Sequence, residues 1–182
     1  MKRLLLCCVS LTVLPVPAPA RQAPRAELFG GYSYNRIESV SSLEAANTNG
    51  WHASLAVNTR IVGFVADFSG HYGETGPTRV STFSAMFGPR FVYHGKRVAW
   101  FAQSLYGVSR IGVGSNGLGS VIGGPSDAAF AFVPGGGGLD IKLGDKVALR
   151  VFEIDVVFSR WGDVTQVQSR LSTGIVFRFG KN

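Results

Sequence analysis

The chain has 182 residues, 46% hydrophobic and only 16% charged, with 24 glycines and a formal net charge of +7. An ordinary soluble domain is roughly a quarter charged, so a disordered tail and a coiled coil are both excluded. Mean hydropathy is positive. Yet no apolar run reaches the ~18 residues of a membrane-spanning helix, which excludes a helical membrane protein.

The chain opens on Met1-Lys2-Arg3, continues almost wholly apolar from Leu4 to Leu14, and reaches Pro15-Val16-Pro17-Ala18-Pro19-Ala20. A basic start, a short apolar stretch and a small-residue end predict an export signal over 1–20, cleaved after Ala20. The prolines argue against a buried helix there. Residues 21–182 are then one domain. Cys7 and Cys8, the two cysteines, fall inside the signal, so the exported chain has neither a disulfide nor thiol chemistry. Loss of Lys2 and Arg3 lowers the net charge from +7 to +5. Without a Lys/Arg block, nucleic acid is not an expected partner.

From there the apolar residues recur with period two, in short runs rich in β-branched and aromatic residues. Eight strands are predicted: Glu27–Arg36, Gly50–Asn58, Gly63–Tyr72, Val80–Tyr93, Val98–Arg110, Ala128–Lys142, Val147–Ser159 and Gln168–Phe179. One face of each is greasy. Trp51, Ala53, Leu55 and Val57 oppose His52, Ser54, Ala56 and Asn58. Phe64, Ala66 and Phe68 oppose Val65, Asp67 and Ser69. Phe152, Ile154, Val156 and Phe158 oppose Glu153 and Asp155. The second face carries small residues and isolated charges instead of the many Lys and Glu of a wet sheet face. That pattern suits the crowded lumen of a narrow barrel whose greasy exterior meets lipid. The Gly135–Gly138 run marks a bend or bulge that could invert the facing of its neighbours.

The connections alternate in length. Ile37–Asn49 is long and Thr59–Val62 short; Gly73–Arg79 is followed by the short His94–Arg97. Ile111–Asp127 is long, Leu143–Lys146 short, and Arg160–Val167 intermediate. Transmembrane barrels have this rhythm of long outer loops and short periplasmic turns. With an even strand count, both termini are expected on the periplasmic side. Lipid supplies no hydrogen-bond partners, so strands can cross it only in a closed sheet. The expected fold is an all-β, eight-stranded antiparallel up-and-down transmembrane barrel.

Leu28-Phe29-Gly30-Gly31-Tyr32-Ser33-Tyr34 resembles the first strand of small outer-membrane β-barrel proteins of the OmpA-like or OmpX-like type. Val65-Ala66-Asp67-Phe68-Ser69-Gly70, Phe87-Gly88-Pro89-Arg90-Phe91 and Gly136-Gly137-Gly138-Leu139-Asp140 are similar to later strands of that family, in the same order. Gly174-Ile175-Val176-Phe177-Arg178-Phe179 resembles the C-terminal strand signal read by barrel-assembly machinery; Gly180-Lys181-Asn182 follow it. The resemblance spans the chain after the signal. It implies a Gram-negative outer membrane, with outer-membrane lipids, lipopolysaccharide and the assembly machinery as partners. It implies no single activity, because the family includes anchors, adhesins, protective proteins and a few lipid enzymes.

Chemistry is sparse. His52, His71 and His94 form no HxH or HExxH motif, so neither a metal nor a cofactor is expected. By parity His52 and His71 point into the lumen on adjacent strands and could meet near the outer rim. No His–Ser pair lies on the lipid face, where an acyl-transfer enzyme would place it. The inward charges are expected to pair: Asp67, Asp140, Glu153 and Asp155 against Arg90, Arg170, Arg178 and Lys142. These charges are read as a structural lumen network, and no catalytic residue is assigned. The function expected is that of a non-enzymatic barrel acting through its outer loops in adhesion, interaction with an extracellular ligand, or envelope integrity. The alternatives are an enzyme acting on lipid A or phospholipid acyl groups, and a transporter of small solutes or hydrophobic ligands. A soluble lipocalin-like barrel requires the inverse facing.

Overall fold

A computed structural model describes residues 26–38, 46–59, 61–75, 78–114, 128–161 and 164–180. The predicted signal over 1–20 and both cysteines lie outside them, as does most of the Ile111–Asp127 connection. The strands are β1 (Ala26–Ile37), β2 (Ala46–Asn58), β3 (Val62–Thr75), β4 (Thr78–His94), β5 (Val98–Gly114), β6 (Ala128–Lys142), β7 (Val147–Trp161) and β8 (Val164–Phe179). Each pairs antiparallel with the next, and β1 pairs with β8, so the sheet closes into a barrel. Closure leaves no unpaired edge.

Side chains follow the period-two rule. Phe64, Phe87, Phe91, Trp100, Tyr106 and Phe177 stand exposed on the outside. Inside, buried polar and charged groups alternate with two apolar patches. One is Phe29, Ala148 and Val176. The other is Ala56, Val65, Met86, Leu105, Ala131, Val133 and Val157.

The strands run further than composition suggests. Asn47, Thr48 and Asn49 look like loop residues, yet they stay in the ladder opposite Arg36, Asn35 and Tyr34. Their side chains contribute: the Tyr34 hydroxyl donates to Asn47 Oδ1 at 2.8 Å, and Thr48 Oγ1 donates to the Asn35 carbonyl at 3.1 Å. Tertiary pairing thus overrides turn propensity. This shortens the predicted Ile37–Asn49 to 38–45 and Ile111–Asp127 to 115–127, and removes most of two others. Gly73–Arg79 shrinks to 76–77 and Arg160–Val167 to 162–163, because β3 and β4 pair out to Thr75–Thr78 and β7 and β8 out to Trp161–Val164. The barrel therefore has a turn end, with the short connections 59–61, 95–97 and 143–146, and a loop end where only 38–45 and 115–127 are extended.

Two bulges reset the facing of β6 and β7. In β7, Val151 and Phe152 together oppose Thr173, so Arg150 and Glu153 both face inward. In β6, the register shifts between Phe132 and Gly136, carrying the inward set from odd positions such as Val133 to Asp140. A bulge takes backbone groups out of the ladder. The same device serves both: Thr173 Oγ1 donates to the Arg150 carbonyl at 2.9 Å, and Ser104 Oγ donates to the Val133 carbonyl at 3.0 Å. On an apolar outer face these hydroxyls stand in for absent water. Thr173→Val and Ser104→Ala should each cost about 1–2 kcal/mol, measured by urea unfolding in phospholipid vesicles. Ser169→Ala, elsewhere on the same exposed face, should cost less than about 0.5 kcal/mol.

Candidate functional site in the barrel lumen

Among the described residues, five carboxylates (Glu27, Asp67, Asp140, Glu153, Asp155) and four arginines (Arg90, Arg150, Arg170, Arg178) are buried inside the barrel. The seven predicted lumen residues Asp67, Arg90, Asp140, Glu153, Asp155, Arg170 and Arg178 are all among them.

Two guanidinium forks organise the centre. Arg170, on β8, donates through Nη1 to Asp67 Oδ1 at 2.8 Å and to Ser69 Oγ at 3.0 Å. Its Nη2 donates to Asp155 Oδ2 at 2.7 Å and to Asp67 Oδ2 at 3.1 Å. Arg150, on β7, donates through Nε to Asp140 Oδ1 at 2.8 Å and through Nη1 to Glu153 Oε2 at 2.7 Å. Its guanidinium lies 4.3 Å from the ring centroids of both Phe29 and Phe101, so aromatic faces cover what the carboxylates leave open. Gln103 links the forks, donating to Glu153 Oε1 at 2.7 Å and to Asp155 Oδ1 at 3.3 Å. Gly136 makes room: a Cβ there would sit 1.8 Å from Asp155 Oδ1.

Toward the turn end the pairs loosen. Arg178 Nε donates to Glu27 Oε1 at 3.0 Å, but its Nη2 is 3.6 Å from Asp140 Oδ2. Arg90 Nη2 is 3.7 Å from Glu27 and 4.0 Å from Asp140, with its guanidinium stacked 3.9 Å over Phe101. The whole chain of contacts draws on all eight strands: Glu27, His52, Asp67, Arg90, Gln103, Asp140, the β7 trio Arg150, Glu153 and Asp155, and the β8 pair Arg170 and Arg178.

The histidines differ in their partners. His52 lies opposite Ser69 and His71 opposite Gly50. His52 Nε2 donates to Asp67 Oδ2 at 2.5 Å, and its Nδ1 faces Glu153 Oε2 at 3.8 Å. His71 Nε2 is instead within 2.9 Å of Ser33 Oγ, which also accepts from Ser172 Oγ at 2.9 Å. The two rings, one inward position apart on adjacent strands, thus take different hydrogen-bond partners. Ser33 and His71 resemble a nucleophile and base, but both are buried in the lumen, beyond the reach of a lipid acyl chain. His52, Asp67 and Glu153 bring candidate ligand atoms within 4.8 Å of one another. Arg170 and Arg150 already supply those carboxylates with positive charge, so the trio fits an ion-pair centre better than a metal centre.

Lys142 leaves the predicted network. Its Nζ donates to the Gly95 carbonyl at 2.7 Å, at the turn end, and Arg150 supplies the fourth inward cation. Strict alternation puts Arg150 on the greasy face, because the Val151 bulge is invisible to it. A lone arginine among apolar outward residues was the available signal. Glu27 opens the first predicted strand on its inward parity, yet a terminal residue reads as solvated.

A closed eight-stranded antiparallel barrel, apolar outside and ion-paired inside, has the fold of the small outer-membrane barrels. Among solved structures the chain is similar to Neisserial surface protein A, NspA (TM-score 0.68, 14% identity, 85% of this chain and 97% of that one). It is also similar to Ail, the attachment invasion locus protein of Yersinia pestis (0.54, 16%, 85% and 99%). A third match is the N-terminal β-barrel domain of Pseudomonas aeruginosa OprF (0.52, 11%, 86% and 100%). At these identities the likeness is one of fold. No protein-family model and no curated protein sequence matches the chain.

Removing one member of a buried ion pair leaves its partner uncompensated, at about 3–5 kcal/mol. Arg150→Met is therefore expected to lower unfolding stability in vesicles by about that amount, while the exposed Arg36→Met changes it by less than about 1 kcal/mol. Neutralising the orphaned acids as well, with Asp140→Asn and Glu153→Gln, should restore part of the loss.

Proposed function

We propose that this chain is a non-enzymatic outer-membrane barrel, anchored in lipid by its apolar exterior and acting through its extended loops in adhesion, interaction or envelope integrity. The observation that carries the reading is the inversion of the barrel: exposed aromatic and aliphatic side chains outside, a cross-braced charge network inside. A soluble barrel with this exterior would expose a far larger apolar surface than monomeric soluble proteins tolerate. The structural neighbours support it coarsely, being described as a surface protein, an attachment invasion locus protein and a barrel domain.

On this reading the lumen is a plug and not a pathway. An eight-stranded barrel has an interior that side chains just fill, and here Arg170 reaches from β8 to Asp67 of β3 and Arg90 from β4 toward Glu27 of β1. Both termini and the turn end face the periplasm, and the segments 38–45 and 115–127 face outward. The lipid-enzyme alternative has less support, since the one Ser–His contact described is inside the barrel.

Two measurements test this. Membrane fractionation should recover the chain in the outer membrane, and protease added from outside should cut within 38–45 or 115–127 while leaving a protected core. Solubility without detergent overturns the proposal. In planar bilayers Arg90→Ala should lower heat stability without opening a conductance; a large new conductance at unchanged stability overturns the plug.

A further inference from the structure

Among the described residues, the exposed cationic side chains at the turn end are gathered on two neighbouring turns. The β4–β5 turn presents Lys96 and Arg97, both exposed, and the β6–β7 turn presents the exposed Lys146. The two turns are joined. The Lys142 backbone N–H donates to the Arg97 carbonyl at 2.9 Å, and Lys142 Nζ donates to the Gly95 carbonyl at 2.7 Å, which pins a fourth cation between them. Within these two turns the one acidic residue is Asp145. The neighbouring β2–β3 turn offers the apolar Ile61 and Val62, both exposed.

What stands next to the cations identifies the partner. Tyr93 and Trp100 are cross-strand neighbours directly beneath the β4–β5 turn, and both stand exposed on the outer face. Leu143, at the start of the β6–β7 turn, is 63% exposed, the state of a side chain whose cover is not protein. Aromatic rings bounded by Lys and Arg on one side and an apolar wall on the other are the chemistry of a membrane–water interface. An acidic protein segment would account for the cations but not for the exposed Leu143, Tyr93 and Trp100 running on into the apolar wall.

We propose that the paired β4–β5 and β6–β7 turns form a binding site for the headgroups of anionic phospholipids in the leaflet at the turn end. Lys96, Arg97 and Lys146 hold the phosphate, while Lys142 fixes the spacing of the two turns. Tyr93, Trp100 and Leu143 seat the glycerol and upper acyl region. This deepens, and rests on, the reading of the chain as a membrane-spanning barrel.

The test uses the full exported chain folded into vesicles of equal phosphatidylcholine and phosphatidylglycerol, with retained lipid read by native mass spectrometry. The wild type should retain phosphatidylglycerol preferentially. The triple variant Lys96→Gln, Arg97→Gln, Lys146→Gln should lose about tenfold or more of that preference, since each cation near an anionic surface contributes severalfold. Asp145→Asn should raise it. Arg36→Gln with Arg110→Gln, exposed cations toward the loop end, should leave it unchanged. Heat-modifiable gel mobility confirms that each variant is folded. Equal retention of both lipids by the wild type, or full preference in the triple variant, overturns the site. Loss of the preference to excess inorganic phosphate at constant ionic strength also overturns it, in favour of a soluble-anion site. Failure to insert into vesicles at all overturns the barrel reading itself.

Discussion

The guanidinium of Arg170 spans the barrel, held on one side by Asp67 of β3 and on the other by Asp155 of β7. In a ring of eight strands those two lie on opposite walls. The contact therefore requires closure, the right strand count and the right register together. A slip of one residue in either strand would turn its carboxylate outward and leave the buried guanidinium with one acid in place of two. Arg150, one layer toward the turn end, is held locally instead, by Asp140 on the adjacent β6 and Glu153 on its own strand. Ion pairs of this kind contribute less to net stability than to uniqueness, because their desolvation cost is large and only correct geometry offsets it.

This inverts the usual division of labour in a small domain. The hydrophobic effect works on the outside, where the apolar wall is matched to lipid, and the interior is polar. Backbone pairing must then be nearly complete, since neither lipid nor packed lumen supplies water. The two bulges locate where that demand is met by side chains. Each lets a strand change facing, bringing Arg150 and Asp140 into the network, and each has a hydroxyl on the facing strand that takes up the carbonyl concerned. The ladder is sacrificed at two points so that the lumen can be charge-matched.

On the function proposed above, the work of such a scaffold is done at its ends. The loop end has two extended connections, 38–45 and 115–127, because tight pairing of β3 with β4 and of β7 with β8 removes the other two. Among the described residues, the turn end carries a cationic pair of turns above the exposed Tyr93 and Trp100.

Much of this was legible in the chain itself. Period-two alternation over eight segments, low charge and the rhythm of connections determined an inside-out barrel, because lipid on one side and a narrow lumen on the other impose opposite rules on alternate residues. Parity alone placed Asp67, Arg90, Asp140, Glu153, Asp155, Arg170 and Arg178 inside. Partners were another matter. Which acid meets which arginine depends on strands distant in sequence, as Asp67 and Arg170 are, and only closure brings them together. Arg150 was hidden because one inserted residue, Val151, reverses parity, and the one sign of it was an arginine standing among apolar outward residues. The different partners of His52 and His71, and the shortening of two loops into tight hairpins, were decided by register. Local sequence dictates which way a side chain faces; only the closed sheet decides what it faces.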